Sequence, residues 1–477
     1  MRVCDGNGAV TEINDEIDLP DDDGNPCTEA ACKNGAPTHE PVAMGEACGD
    51  NGVCNTKGGC GVCLPGAERC DGNAIASCDE EGQWGKEVCP ENRPLCSGKT
   101  CLGVKRISTG PSASCAHFDD NSVRCFGAQG FRAEDGITQI GSLLGALDIA
   151  LGGSFGCALL GGGAVSCWGA NDFGQVGDGT KDKTTPRAPT PVLGLSKAIA
   201  ITAGEEFACA IVEGGKVACW GRGDHGELGA PPPSAKPAKP GTPPAETEDD
   251  DDSALNPGGP PSLVPSLSGS TNILFGGTFG CALFPGGRIG CFGSNDQNQL
   301  GGEIAFDGPA KPKIAPKPKP TLVFIKGIEG ATSIKLGKRH ACAILTDGTA
   351  RCWGDNTHGQ LGDGTTTSKT SPVVVKDLQD IQSLALGSFF SCALLKNHNA
   401  ACWGDNTHGQ LGDGTTEQRP APVPVSNLSN IQKLIAGGKH ACAQLSDGKI
   451  KCWGGNTQNE LGDRTTDDRT TPVPIAW

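Results

Sequence analysis

Two cysteines ten positions apart recur seven times in this 477-residue chain. The pairs are Cys115/Cys125, Cys157/Cys167, Cys209/Cys219, Cys281/Cys291, Cys342/Cys352, Cys392/Cys402 and Cys442/Cys452. A glycine stands five residues before each first cysteine (Gly110, Gly152, Gly204, Gly276, Gly337, Gly387, Gly437), and an aromatic-glycine pair follows each second one. Self-similarity at this period marks an array of identical supersecondary units. Four residues before the second cysteine stands Gly163, Gly215, Gly287, Gly348 or Gly448, with Asn121 and His398 in the other two copies. These residue types tolerate positive φ best. A three-residue hairpin loop needs one at its third position, which makes Thr346-Asp347-Gly348 the loop of the fifth copy. Leu345 then faces Thr349, and counting outward puts Cys342 opposite Cys352. With Leu345/Thr349 as a hydrogen-bonded pair, the cysteines form a non-hydrogen-bonded pair with Cα atoms about 4.5 Å apart. That separation falls within the roughly 4.4–6.8 Å a disulfide spans. The competing reading, fourteen buried thiols, leaves the facing register unexplained. Each repeat is therefore expected to be a hairpin pinned by its own cross-strand disulfide.

Two further short β-prone segments accompany each hairpin. Leu322-Val-Phe-Ile325 and Ser333-Ile-Lys-Leu336 precede the fifth, and Val373-Val-Val375 and Ser383-Leu-Ala-Leu386 precede the sixth. Four strands in about 50 residues fit a propeller blade. Apolar or small residues on both hairpin faces (Ala343 and Leu345, Ile344 and Ala350) require cover on both sides, as a blade between two blades has. The first repeat lacks a preceding Pro-Val strand and the chain ends with an unpartnered one, residues 471–477. That strand is expected to complete the first blade, closing the ring and removing exposed edges.

Twenty-six cysteines, an even number largely in regular array, point to an oxidising compartment. The opening Met1-Arg-Val-Cys4-Asp5 carries no apolar signal region. A trimmed signal or a misassigned start reconciles the two, and the expected location is extracellular, cell-surface or periplasmic. No apolar run approaches the length of a membrane-spanning helix.

Residues 1–101 form a separate module with twelve cysteines and few apolar residues, so bridges must replace a core. Six bridges are expected, with their connectivity open. Cys60-Gly-Val-Cys63 lacks a second closely spaced pair, and His39 is its only nearby histidine, so disulfides are favoured over zinc. Asp21-Asp22-Asp23-Gly24-Asn25 resembles a calcium loop, but Cys32 stands where the twelfth-position glutamate belongs, which favours a solvated acidic turn. With 19 acidic and 7 basic residues the module carries a net −12 of the chain's −16, which disfavours polyanion binding. Residues 102–477 hold the repeats, with proline-rich insertions at 230–268 and 303–320 expected as solvated loops or stiff spacers.

The assembled repeat resembles that of the regulator of chromosome condensation family. It reads Gly337-x-x-His340-Ala-Cys-Ala-Ile-Leu345, Gly348, then Trp353-Gly-Asp-Asn356-Thr-His-Gly359-Gln-Leu-Gly362-Asp-Gly364, with a near-identical copy from Trp403. The resemblance covers about four-fifths of the chain and implies an all-β, seven-bladed β-propeller. The paired cysteines, the weak first repeat (Phe126-Gly-Ala-Gln-Gly130), the insertions and the cysteine-rich front depart from the family pattern.

Candidate sites are few. His340 and His440 occupy a position held elsewhere by Phe155, Phe207, Phe279 and Phe390, which makes it a packing position rather than a metal site. His358 and His408 fall in identical turn loops. Asp355-Asn356 and Asp363-Gly364 are read as local backbone caps rather than calcium ligands. The chain carries no GxSxG, Walker loop or HExxH. The expectation is therefore a monomeric protein-binding propeller, interaction or inhibitor-like, without catalysis, cofactor, metal, nucleic acid or membrane span, its protein partner unnamed. Two alternatives stand beside it. The resemblance implies nucleotide exchange on a small GTPase, which needs a reducing location; a cryptic enzyme with a site assembled from distant loops is the other.

Overall fold

The computed structural model describes residues 2–4, 10–12, 23–33, 36–48, 52–71, 73–90, 92–97, 99–127, 137–140, 143, 145–223, 228, 261–302 and 322–476. At 2–4, 10–12, 30–33, 36–37, 137–139 and 184–186 the description is of the backbone alone. The chain divides into two compact units, Met1–Gly103 and Val104–Trp477.

The front unit, expected from its sparse apolar residues to hold little regular structure, is built of short paired strands. Its cysteine strands pair into small antiparallel sheets, such as Glu68–Asp71, Ala74–Cys78 and Trp84–Val88. Five disulfides join Cys27–Cys54, Cys48–Cys60, Cys63–Cys78, Cys70–Cys96 and Cys89–Cys101. The side chains of Cys4 and Cys32, which a sixth bridge would need, lie outside the described residues. Cys60 and Cys63 belong to different bridges, and the neighbouring Cys27, Cys48 and Cys54 are all oxidised, so none of these sulfurs is a thiolate ligand. Asp21 and Asp22 lie outside the described residues. Asp23 accepts hydrogen bonds from the Asn25 amide (2.9 Å) and the Thr28 hydroxyl, closing a local turn.

In the second unit the described residues form seven four-stranded antiparallel sheets. In the fifth, Ala331–Leu336, His340–Leu345, Ala350–Gly354 and Lys369–Val374 follow one another in space as in sequence. The hairpin has the expected register: Cys342 faces Cys352, and the Leu345 amide donates to the Thr349 carbonyl at 2.9 Å. All seven loop positions singled out above have positive φ, Asn121 and His398 (both 63°) included. The first strand of each sheet lies beside that of the next, and Ile431–Ala436 of the seventh lies beside Val104–Thr109 of the first. The seven sheets therefore close into a ring, a β-propeller.

The closure differs from the expected one. The Pro-Val strand ends its own blade rather than opening the next: Cys352 faces Val373, Cys402 faces Val423 and Cys452 faces Val473. Val323–Phe324 likewise belongs to the fourth sheet, against Gly290 and Cys291. The terminal strand Arg469–Pro474 completes the seventh blade, not the first, whose fourth strand is Ile137–Gln139. Each fourth strand follows the loop after Trp-Gly, and antiparallel return beside the strand just left is the shortest connection. Outer edges therefore remain. Prolines sit on them where a missing N–H costs no ladder bond, as Pro191, Pro424 and Pro474 do. Ser262–Leu263 is the third blade's outer strand, so the first insertion ends before it; residues 230–260 and 303–321 lie outside the described residues.

The last blade is sealed onto the first by side chains and turns. Lys433 Nζ donates to the Ile107 carbonyl (3.0 Å), Gln444 Nε2 to that of Val104 (2.9 Å), Thr109 Oγ1 to that of Ala436 (2.8 Å) and the Gly438 amide to that of Pro111 (3.1 Å). Deleting residues 469–477 is expected to loosen the seventh sheet first. Amide exchange should accelerate along Ile450–Gly454, which loses its outer partner, while the inner strand of the first sheet stays protected. Equal loss of protection at Val104–Thr109 would show that the terminal strand also holds the first blade.

Candidate interaction face around the channel mouth

Six of the seven recurrent glycines line one mouth of the axial channel, and the seventh, Gly152, abuts the Gly204 carbonyl in the same ring. They sit at the turn between first and second strands, where the chain passes closest to the axis. A Cβ on Gly337 would meet His340 Cε1 at 2.2 Å and the Gly387 carbonyl at 2.4 Å. On Gly276 it would meet Phe279 at 2.3 Å and the Gly337 carbonyl, and on Gly437 it would meet His440 at 2.1 Å and the Gly110 carbonyl at 2.6 Å. Backbone bonds run from blade to blade just outside this ring: Gly153 to Glu205 (2.8 Å), Gly277 to Lys338 (3.1 Å), Lys338 to Ser388 (3.3 Å), and Ser388 to Gly438 (2.9 Å). A cavity of roughly 190 Å³ opens there.

The two positions after each ring glycine carry the mouth's chemistry. They read Pro111-Ser112, Gly153-Ser154, Glu205-Glu206, Gly277-Thr278, Lys338-Arg339, Ser388-Phe389 and Gly438-Lys439. The glycine and cysteines around them are the same in all seven copies, whereas these positions differ in charge and size. Lys338 Nζ reaches Glu205 Oε1 (3.1 Å) across Gly277. Arg222 pairs with Glu206 (2.6 Å) and lies over the Phe173 ring (4.7 Å). The His358 ring stands 5.0 Å from that of Phe389. His408 Nδ1 meets Asp468 Oδ2 (2.6 Å) while Lys439 Nζ donates to its Nε2 (3.1 Å). His358 and His408 are turn residues, as expected, and their side chains also stand on the rim. Half-exposed ion pairs of this kind add little stability. What they do is fix an asymmetric pattern of charge and aromatic surface.

The loops that carry these histidines build the same face. The Asp355 amide bonds the Arg339 carbonyl (3.0 Å) and the Asp405 amide that of Phe389 (2.9 Å). Within the loop, Asn356 Nδ2 donates to Asp363 Oδ1 (3.2 Å) and to the Thr365 carbonyl (3.0 Å), while its Oδ1 accepts from the Leu361 amide (2.9 Å). Asp363 caps the Thr365 amide (2.9 Å) and hydroxyl, and these bonds hold its carboxyl below the ordinary value against the opposing effect of burial. Both residues are consumed by the backbone, as their sequence context implies. Both insertions interrupt this loop type, and the described residues that flank them are Leu228 with Pro261 and Gly302 with Leu322.

The paired cysteines lie elsewhere. Cys115–Cys125, Cys157–Cys167, Cys209–Cys219, Cys281–Cys291, Cys342–Cys352, Cys392–Cys402 and Cys442–Cys452 are disulfides with Cα separations of 4.0–4.1 Å. They are buried between blades. Cys342 and Cys352, for example, pack with Leu384, Leu386 and Trp403 of the following blade. They hold the scaffold and do not line the mouth cavity.

His340 and His440 are fully buried at the seams. His340 Nε2 lies 2.9 Å from Ser391 Oγ, whose own proton goes to the Gln360 carbonyl (2.9 Å). Ser391 therefore accepts from Nε2–H, which leaves His340 Nδ1 unpaired beside Gly337. His440 Nε2 meets Ser114 Oγ at 2.9 Å across the closing seam. Burial pushes both imidazoles down to about 4, so they are neutral hydrogen-bond donors at pH 7. A signal for these pairs exists in the sequence and is easily missed. Histidine in one blade goes with serine before the first cysteine of the next. Phe155, Phe279 and Phe390 instead pack with Ala208, Ala341 and Ala441. The pairing of His440 with Ser114 encodes the ring closure itself.

These features define a disulfide-pinned β-propeller with one ornamented face. Residues 142–477 match the RCC1-like domain, and the chain belongs to this family. The match begins after the first hairpin, which the structure nevertheless folds as a full sheet. Human RCC1 domain-containing protein 1 is 27% identical over 221 residues, which are 39% of this chain and 53% of that protein. The Bos taurus secretion-regulating guanine nucleotide exchange factor is 27% identical over 192 residues, 39% of this chain and 38% of that one. The chain thus spans about half or less of these curated relatives. Among solved structures, Prp20p from Saccharomyces cerevisiae aligns with a TM-score of 0.59 at 21% identity, covering 78% of this chain and 87% of that one. Human WBSCR16 aligns with a TM-score of 0.55 at 16% identity, covering 72% and 85%. At these identities the structural likeness concerns the fold.

Proposed function

We propose that this chain is a non-catalytic protein-binding propeller of an oxidising compartment — extracellular, cell-surface or periplasmic — that engages its partner through the channel-mouth face. The carrying observation is the contrast within one repeat: glycine and cysteine positions are identical in seven copies, while the two mouth positions beside them form a different pair of residues in each copy. A scaffold needs the first kind of residue. A recognition surface needs the second, with aromatic and cationic anchors such as Phe389, Arg339 and Lys439. Protein binding also accords with the solved structures of Prp20, described with Kap60 and in relation to Gsp1p and histones.

A photo-crosslinking residue at position 389 is expected to capture the partner, and one at Asp347, in a hairpin loop away from the mouth, is not. The combined change Arg339→Glu, Phe389→Ala and Lys439→Glu should weaken partner binding about tenfold or more. Full affinity in that variant, or crosslinking from position 347 alone, would move the interface elsewhere.

The likeness to an exchange factor favours a second reading, nucleotide exchange on a small GTPase. That activity belongs to a reducing compartment, where buried bridges of this number are rare. Stimulated nucleotide release by the fully oxidised protein would support it.

A further inference from the structure

The channel wall deeper than the glycine ring is cationic. First-strand residues nine and seven positions before each first cysteine include four charged side chains among fourteen: Arg106, Asp148, Lys335 and Lys433. Three cations against one acid is unusual in a chain of net charge −16. Arg106 is answered by Asp148, 2.6 Å away on the next blade. Lys433 Nζ donates to the neutral Ile107 carbonyl (3.0 Å), which satisfies one of its three N–H groups and none of its charge. Lys335 faces Cys342 across its strand pair, is partly buried, and has no ion pair among the described residues. Burial lowers the proton affinity of both lysines, and Lys433, which also senses Arg106 and Lys335 against the opposing effect of Asp148, is pushed down to about 8. The one acid that acts on Lys433, Asp148, is already paired with Arg106, so the two ammonium groups share an environment with no acid of their own among the described residues.

A withdrawn charge without a partner is costly unless something neutralises it. The mouth cavity offers a way in: Leu336 and Ala436 line it, next to Lys335 in the fifth blade and along the same strand as Lys433 in the seventh. We propose that the axial channel binds a small multivalent oxyanion, with phosphate or dicarboxylate chemistry, held by the ammonium groups of Lys335 and Lys433. This site lies deeper than the partner-binding face, and its test does not depend on that reading.

Thermal unfolding of the full chain at constant ionic strength, in oxyanion-free buffer titrated with inorganic phosphate or with succinate, tests the site. The melting temperature should rise saturably with at least one probe, because a ligand of the native state alone stabilises by mass action. Lys335→Met should abolish that response, or weaken the apparent affinity at least about tenfold, while Lys216→Gln, at an exposed lysine, leaves it intact. Without oxyanion, Lys335→Met should melt at or above the wild-type temperature, since it removes an unanswered charge. A flat titration with both probes, an unaltered response in Lys335→Met, or a lower melting temperature of that variant in oxyanion-free buffer would each overturn the proposal.

Discussion

Replacing Gly387 by alanine is expected to destabilise the propeller by about 3 kcal/mol or more, the upper range for forcing an atom into a packed core. The new methyl would lie 1.9 Å from Phe390 Cε1 and 2.4 Å from its Cδ1. Phe390 cannot retreat, because it is fully buried among Leu411, Leu434 and Trp453 at the seam with the seventh blade. The backbone cannot retreat either: the Gly387 amide donates to the Phe390 carbonyl (2.9 Å), and its strand abuts two neighbouring blades. The conflict is steric, not one of backbone torsion. Gly161→Ala is the control, at a turn glycine whose added Cβ meets nothing within 4 Å, and it should be near neutral. Denaturant midpoints of the two variants decide the matter. A Gly387→Ala protein as stable as wild type would mean that the axial ring is not close-packed.

The second large effect is acid sensitivity, located at two seams. An unfolded histidine titrates near 6.5, whereas His340 and His440 in the folded chain titrate at about 4. Between those values the unfolded chain binds protons that the folded chain refuses. Each pH unit downward then favours unfolding by about 1.4 kcal/mol per histidine, or about 3 kcal/mol for each across the window. The stabilisation is fully present above pH 6.5 and fully lost below pH 4. The double change His340→Phe with Ser391→Ala copies the Phe390/Ala441 seam one blade along and should remove half of this slope while preserving stability at pH 7. The matching change at His440 and Ser114 should remove the other half. Unfolding free energies measured from pH 7 to pH 4 would contradict the assignment if the slope survived both replacements.

The hairpin was legible residue by residue because its constraints are local. A left-handed position in a three-residue loop fixes the register, and the register sets Cys342 opposite Cys352. The ring phase was not legible, because the Pro-Val segment stands between two hairpins and sequence order alone does not say which it joins. Only the loop geometry after Trp353-Gly354, closed by Asn356 and Asp363, turns Lys369–Val374 back onto its own blade. The mouth face was hidden for a different reason. Glu205, Lys338, Phe389 and Lys439 come from four repeats, and only the closed ring gathers them around one axis. The histidine-serine covariation across copies was present in the sequence, but interpreting it requires knowing which blade follows which, the first after the seventh included.

If, as proposed, the repeats work outside reducing surroundings, every blade is pinned by an oxidised cross-strand pair in the protein from its native source. Alkylation of the protein from its native source, denatured without reductant and read by mass spectrometry, tests it most directly. No cysteine among the fourteen from Cys115 to Cys452 should be alkylated, and all should be alkylated after reduction. Alkylation at those positions before reduction would contradict it and return the chain to the intracellular, exchange-factor reading.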